Sequence, residues 1–132
     1  MLAWLLGEPA GADVRSILAT ADIVIASDLT LIECDRALIR LATLEPALEG
    51  KAAESRAHLV EMSSHWDLLR MSGEIVDRAR QPFPGEPVRS LDAIHLASLL
   101  VARASVSGLE MLSLDDRIRS TTRAVGVPLQ PA

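Results

Sequence analysis

The sequence predicts an α/β layered fold, with a mainly parallel central sheet flanked by helices. Two short apolar runs, Ile23-Val24-Ile25-Ala26 and Leu109-Glu110-Met111-Leu112-Ser113, sit between helix-length stretches. The first is β-branched, too short for a helix and without alternation, which is how a buried parallel strand reads. Strands alternating with helices mark the α/β class. Hydrophobic residues make up 49% of the chain, yet there are only two Trp, one Phe and no Tyr. A core of Leu, Ala, Ile and Val suits helices packed on a buried sheet. At 132 residues the chain is expected to form one domain, 1–132, large enough for its own core.

In chain order, Met1 to Leu6 is an apolar short helix stopped by Gly7-Glu8-Pro9. Residues 10–20 form a second short helix, and 23–26 the first strand. Ser27-Asp28-Leu29-Thr30 then turns into a long helix from Leu31 to about Thr43. Glu45-Pro46 opens another helix that runs to about Ser64, and Trp66 to Met71 is a short strand. Ser72 caps a helix from Gly73 to about Arg80. The segment Gln81 to Pro87 holds three prolines and a glycine and is irregular. Ser90 caps the central helix, 90–104, whose Leu91, Ile94, Leu96, Leu99 and Leu100 leave too few polar positions for a solvent-facing helix. A loop (Ser105 to Gly108), the 109–113 strand, a helix from Asp115 to about Ala124 and an edge strand, Gly126 to Leu129, complete the chain.

No apolar run is long enough to cross a bilayer, and Met-Leu-Ala-Trp-Leu-Leu lacks the basic start of a signal peptide. The single Cys34 excludes an internal disulfide and a cysteine zinc site, which fits a cytoplasmic setting. A net charge of −5 argues against coating nucleic acid by bulk attraction. It is compatible with a nuclease, whose metal-recruiting acids add negative charge themselves.

The acids carry the chemistry. Glu33 follows the 23–26 strand, Asp92 opens the central helix, and Asp115 and Asp116 open the helix after the 109–113 strand. In a parallel α/β sheet the helix N-termini gather at one edge, so acids remote in sequence can meet in one crevice. Several carboxylates at close range repel unless a cation compensates them. Only oxygen ligands are on offer, so the expected ion is Mg²⁺ or Mn²⁺. Each acid also has a plain structural use. Thr30-Leu31-Ile32-Glu33 is a capping box, Ser113 or Asp115 is an ordinary N-cap, and Asp92 and Asp116 favour a helix dipole.

Several segments resemble PIN-domain proteins of the VapC toxin type. Ser27-Asp28-Leu29-Thr30-Leu31-Ile32-Glu33 is similar to the family's S-x-L-T-x-x-E segment, and Leu91-Asp92-Ala93-Ile94-His95-Leu96-Ala97 to its L-D-A-L-H-L-A signature. Ser113-Leu114-Asp115-Asp116-Arg117-Ile118 looks like its T-x-D-x-R-L segment, Gly126-Val127-Pro128 like its closing strand, and Leu2 to Pro9 like its first helix. The resemblance implies a metal-dependent endoribonuclease, the toxin of a toxin–antitoxin pair. Glu33, Asp92 and Asp115 would be catalytic metal ligands, and Asp116 a neighbour that helps hold the ion. Attack of a metal-activated water on an RNA phosphodiester would leave a 5′-phosphate and a 3′-hydroxyl. A VapB-like antitoxin would cover the acidic crevice.

One departure stands out. The family opens with an apolar strand ending in Asp-(Thr/Ser)-Ser, and Met1 falls after that point. The first family Asp and the central first strand are thus missing from this chain. A start upstream of Met1 is the favoured explanation, since Glu33, Asp92 and Asp115 remain in place. The alternative is a truncated, non-catalytic PIN-like protein-interaction module. If the 132 residues fold as given, a gap or substitute strand at the sheet centre and weak metal binding are expected.

Arg36 and Arg40, one turn apart, and Arg117 are candidate RNA contacts, with solvated ion pairs as the plain reading. His95 is a hydrogen-bonded core histidine or points to the site. Trp4 and Trp66 are core or interface residues, and Cys34 a small buried filler. Leu41, Leu44 and Leu48 hint at a homodimer surface, which a core role explains as well.

Overall fold

Helices make up 62% of the described residues, and the strands between them are two or three residues long. The computed structural model describes residues 2–132; the start of the first predicted helix, Met1, lies outside them. The mixed α/β class predicted from the sequence is what is observed. Among the described residues the strands form two two-stranded sheets, β1 with β2 and β3 with β4. The chain divides into two units, Met1–Leu68 and Leu69–Ala132.

The first unit holds α1 (Leu2–Leu5), α2 (Gly11–Thr20), β1 (Ile25–Ser27), α3 (Asp28–Leu44), a 3-10 turn (Pro46–Leu48) and α4 (Glu49–Ser63). A Cβ on Gly11 would lie 2.6 Å from both Ala3 O and Trp4 Cα. Only glycine lets α2 start this close to α1. Ser55 Oγ on α4 donates to Leu5 O at 2.7 Å, satisfying a carbonyl that the end of α1 leaves open. Cys34 and Leu38, one turn apart on α3, are buried, as are Ala52, Ser55 and Leu59 on α4. These spacings are one face of a 3.6-residue helix, and α3 packs on α4. Trp66 is core, as expected, while Trp4 is half-buried with its ring edge-on to His58 at 5.0 Å.

Burial pushes the Cys34 thiol up to about 11 from its ordinary 9.0. The protonated thiol is therefore the form the fold favours. That contribution is complete below pH 9.0 and lost as the pH climbs towards about 11. Because the thiolate is the nucleophile, Cys34 is expected to resist a disulfide-exchange reagent at pH 8 in the folded protein and to react at once in guanidinium. Equal rates in both states would show that the side chain is not enclosed.

The second unit holds α5 (Gly73–Ala79), α6 (Ser90–Ser105), β3 (Met111–Leu112), α7 (Asp116–Ala124) and β4 (Leu129–Gln130); β2 (Asp67–Leu69) leads into it. Strands β3 and β4 are parallel, with Met111 opposite Leu129 and Leu112 opposite Gln130. The core is Ile75, Phe83, Ala93, Leu96, Ala97 and Ile118, drawn from α5, α6, α7 and the loop between α5 and α6. That loop is irregular, as its prolines demand. The Glu86 carboxylate accepts from the N–H groups of Phe83 and Val88, and those two bonds hold it below the usual carboxylate range. Phe83 is thereby fixed in the core, with the Arg78 guanidinium 4.0 Å above its ring.

Several boundaries differ from the sequence expectation. Helix α3 starts at Asp28 rather than Leu31, because Ser27 is the extended residue whose Oγ accepts from Leu29 N–H at 3.2 Å. Thr30 therefore lies inside the helix, and the Thr30–Glu33 capping box does not form. Helix α6 is capped by the extended backbone of Arg89, whose carbonyl accepts from Ala93 N–H at 2.8 Å. Ser90 is its first helical residue and not its cap. The strands predicted over 23–26 and 109–113 shrink or shift to 25–27 and 111–112. The last strand starts after Pro128, which has no N–H to give a ladder.

Candidate functional site

The site is built from two helix starts in the second unit. Asp92 is the third residue of α6, a helix anchored by the buried Ala93, Leu96 and Ala97 just beyond it. Its side chain is only 15% exposed. Asp115 is the N-cap of α7, with Oδ1 accepting from the N–H groups of Arg117 at 2.9 Å and Ile118 at 3.3 Å. Ser113 Oγ in turn accepts from Asp115 N–H at 3.2 Å, fixing the turn from β3 into α7. Because α6 packs on α7, the two acids face one side chain. Arg117 Nε lies 3.6 Å from Asp92 Oδ2, and its Nη2 lies 3.3 Å from Asp115 Oδ2.

Arg117, a candidate RNA contact in the sequence with an ion pair as the plain reading, bridges two carboxylates of its own chain. Asp116, the first helical residue of α7, is exposed beside them. Glu33 belongs to the first unit, in the second turn of α3 rather than the first, and is half-buried. Arg36 and Arg40 are exposed on the same helix, and Arg56 pairs with Asp35 at 3.0 Å. His95, one turn after Asp92, is half-buried. Among the described residues no group of three His, Cys, Asp or Glu side chains is arranged to hold a metal ion. The groove between α5 and α6, lined by Glu74, Asp77, Arg78 and Val101 among others, contains none of the predicted site residues.

Sequence reasoning missed Arg119. Its guanidinium donates to Ser113 O at 2.8 Å, Gln130 O at 3.4 Å and Pro131 O at 2.9 Å. It thus ties the turn that carries Asp115 to the end of β4. Nothing in the Asp-Asp-Arg-Ile-Arg pattern separates this arginine from a solvated one.

The donor chemistry of the pair fits a hard divalent ion. Both groups are carboxylates, and the guanidinium between them stands where a cation is needed to offset their repulsion. No curated protein matches the chain. A family model described as the PIN domain matches residues 1–124, which takes in α1 through α7 and both carboxylates of the pair. PIN domains are generally metal-dependent nucleases, and on this match the chain belongs to the PIN domain family.

Proposed function

We propose that the protein is a Mg²⁺-dependent endoribonuclease, the toxin of a type II toxin–antitoxin pair, acting as a single PIN-like domain over residues 1–132 in the cytoplasm. The observation that carries this reading is the meeting of Asp92 and Asp115 on one guanidinium, from helices remote in sequence. The family match supports nuclease chemistry, and RNA is a substrate PIN domains bind.

When bound, Mg²⁺ or Mn²⁺ would neutralise charge on the scissile phosphodiester and make a water molecule acidic enough to attack it. The chain supplies the rest. Asp92 presents a carboxylate from a helix turn locked by core packing, and Asp115 one from a cap held by two backbone donors. Rigid presentation of this kind lowers the cost of assembling a site. Asp116 adds negative charge beside them. Glu33 enters as the further ligand through its motif, and the exposed Arg36 and Arg40 supply a cationic pair for RNA phosphates. The chain's own net charge of −5 leaves bulk attraction out, so RNA binding must rest on such local contacts. The partners proposed are a VapB-like antitoxin and a second copy of the chain, the latter through the exposed Leu44 and its neighbours Leu41 and Leu48.

End-labelled RNA incubated with the protein and Mg²⁺ or Mn²⁺ is expected to yield fragments with 5′-phosphate and 3′-hydroxyl ends. Chelation should stop the reaction and added metal restore it. Cleavage that is indifferent to chelation would overturn the mechanism. Failure to cut any RNA with either metal would leave a PIN-like protein-interaction module.

A further inference from the structure

We propose that Arg117 is a built-in counter-ion, which closes the Asp92–Asp115 pair in the ion-free protein and is displaced when a divalent cation takes the same oxygens. This role rests on the metal-ion reading of the pair and adds to it a competitor carried by the chain itself. One planar fork serves both acids, with Nε towards Asp92 Oδ2 at 3.6 Å and Nη2 towards Asp115 Oδ2 at 3.3 Å. The two acids are fixed by backbone structure, whereas among the described residues the guanidinium is held by these two carboxylates alone and its side chain is 56% exposed. It can therefore leave into water while the carboxylates stay.

Asp115 divides its oxygens in a way that permits this. Its Oδ1 accepts the N–H groups of Arg117 and Ile118, and its Oδ2 alone faces the guanidinium. Withdrawal of the Arg117 side chain leaves the helix cap intact. An ion pair this exposed is weak, so an ion of twice the charge can displace it. The released guanidinium stays tethered two residues from Asp115, where its fork suits a phosphate. The same group would then close the empty site and contact RNA in the loaded one.

Binding of Mn²⁺ alone, followed by the electron paramagnetic resonance of the free ion, tests this. Arg117→Gln is expected to bind Mn²⁺ about two- to fivefold more tightly than the parent, the range that exposed ion pairs are worth. Arg123→Gln removes the same charge from the last turn of the same helix and should tighten binding less. A variant that merely damaged the fold would bind less, so a gain in affinity has no structural explanation. In the unaltered protein, Mg²⁺ should move the Arg117 Nε–H cross-peak, and should fail to do so in Asp92→Asn. Affinity unchanged or lowered in Arg117→Gln, equal tightening in Arg123→Gln, or a static Nε–H signal each overturns the counter-ion role and leaves the metal-ion reading standing if the parent binds Mn²⁺. No Mn²⁺ uptake by parent or variant overturns both. Mn²⁺ uptake with tightening but without RNA cleavage removes the nuclease reading and keeps the counter-ion.

Discussion

Asp92→Asn is expected to lower metal-dependent RNA cleavage by about a hundredfold or more, the loss typical when one charged stabiliser is removed from a site organised around electrostatics. The substitution keeps the shape of the side chain and one carbonyl oxygen, so it isolates the charge. Its cost to the fold is small: an acid in the first turn of a helix contributes about 0.3–1 kcal/mol through the dipole. The rate should therefore collapse while the melting curve barely moves. Asp115 offers a graded comparison, because its side chain is 42% exposed against 15% for Asp92. Asparagine is as good an N-cap as aspartate, so Asp115→Asn also preserves α7. The better shielded Asp92 should cost more, since a charge acts more strongly where water screens it less. Cleavage rates at saturating Mg²⁺, with thermal melts run in parallel, make the check. An Asp92→Asn protein that cuts RNA at the parental rate would remove this residue from the mechanism.

What could be read in advance follows from how local each feature is. Helix α6 was legible because Leu91, Ile94, Leu96, Leu99 and Leu100 make a long, nearly continuous apolar stretch, over which errors at single positions average out. Its cap was not. Whether Ser90 or Arg89 ends the extended chain depends on one ψ angle, and Arg89 offers no side-chain signature. The same competition misled at α3, where Ser27 and Thr30 are both good capping residues and the chain uses the first. Strands of two or three residues carry too few positions for any period to register, and Pro128 trims the last of them. At the site, Asp92 and Asp115 were legible because helix starts are marked in sequence. Arg117 was legible as a candidate contact, but its bridge between Asp92 and Asp115 was not, because the reach of a long side chain across two helices has no counterpart in residue spacing. Arg119 escaped for the same reason, since its acceptors are backbone carbonyls as far away as Pro131.

Leu91 and Leu96 separate burial from helix formation within one element, and their alanine variants are expected to differ sharply. Both sit in α6, both are leucine, and apolar patterning alone put both inside. The structure leaves Leu91 49% exposed and Leu96 1% exposed. Leu96→Ala opens a cavity among Ile75, Phe83, Ala97 and Ile118, and a buried leucine-to-alanine change costs about 2–5 kcal/mol. Leu91→Ala removes little buried surface, and alanine is the better helix former, so its cost should stay within about 0.5 kcal/mol. Urea titrations with unchanged slopes would assign the difference to the native state rather than to the unfolded chain. Leu96 also lies one turn beyond Asp92, so the cavity loosens the helix surface from which that carboxylate is presented. Leu96→Ala should therefore weaken Mn²⁺ binding while leaving every proposed ligand in place, whereas Leu91→Ala should not. Equal destabilisation by the two variants would mean that α6 does not turn the face containing Leu96 towards the core of its unit.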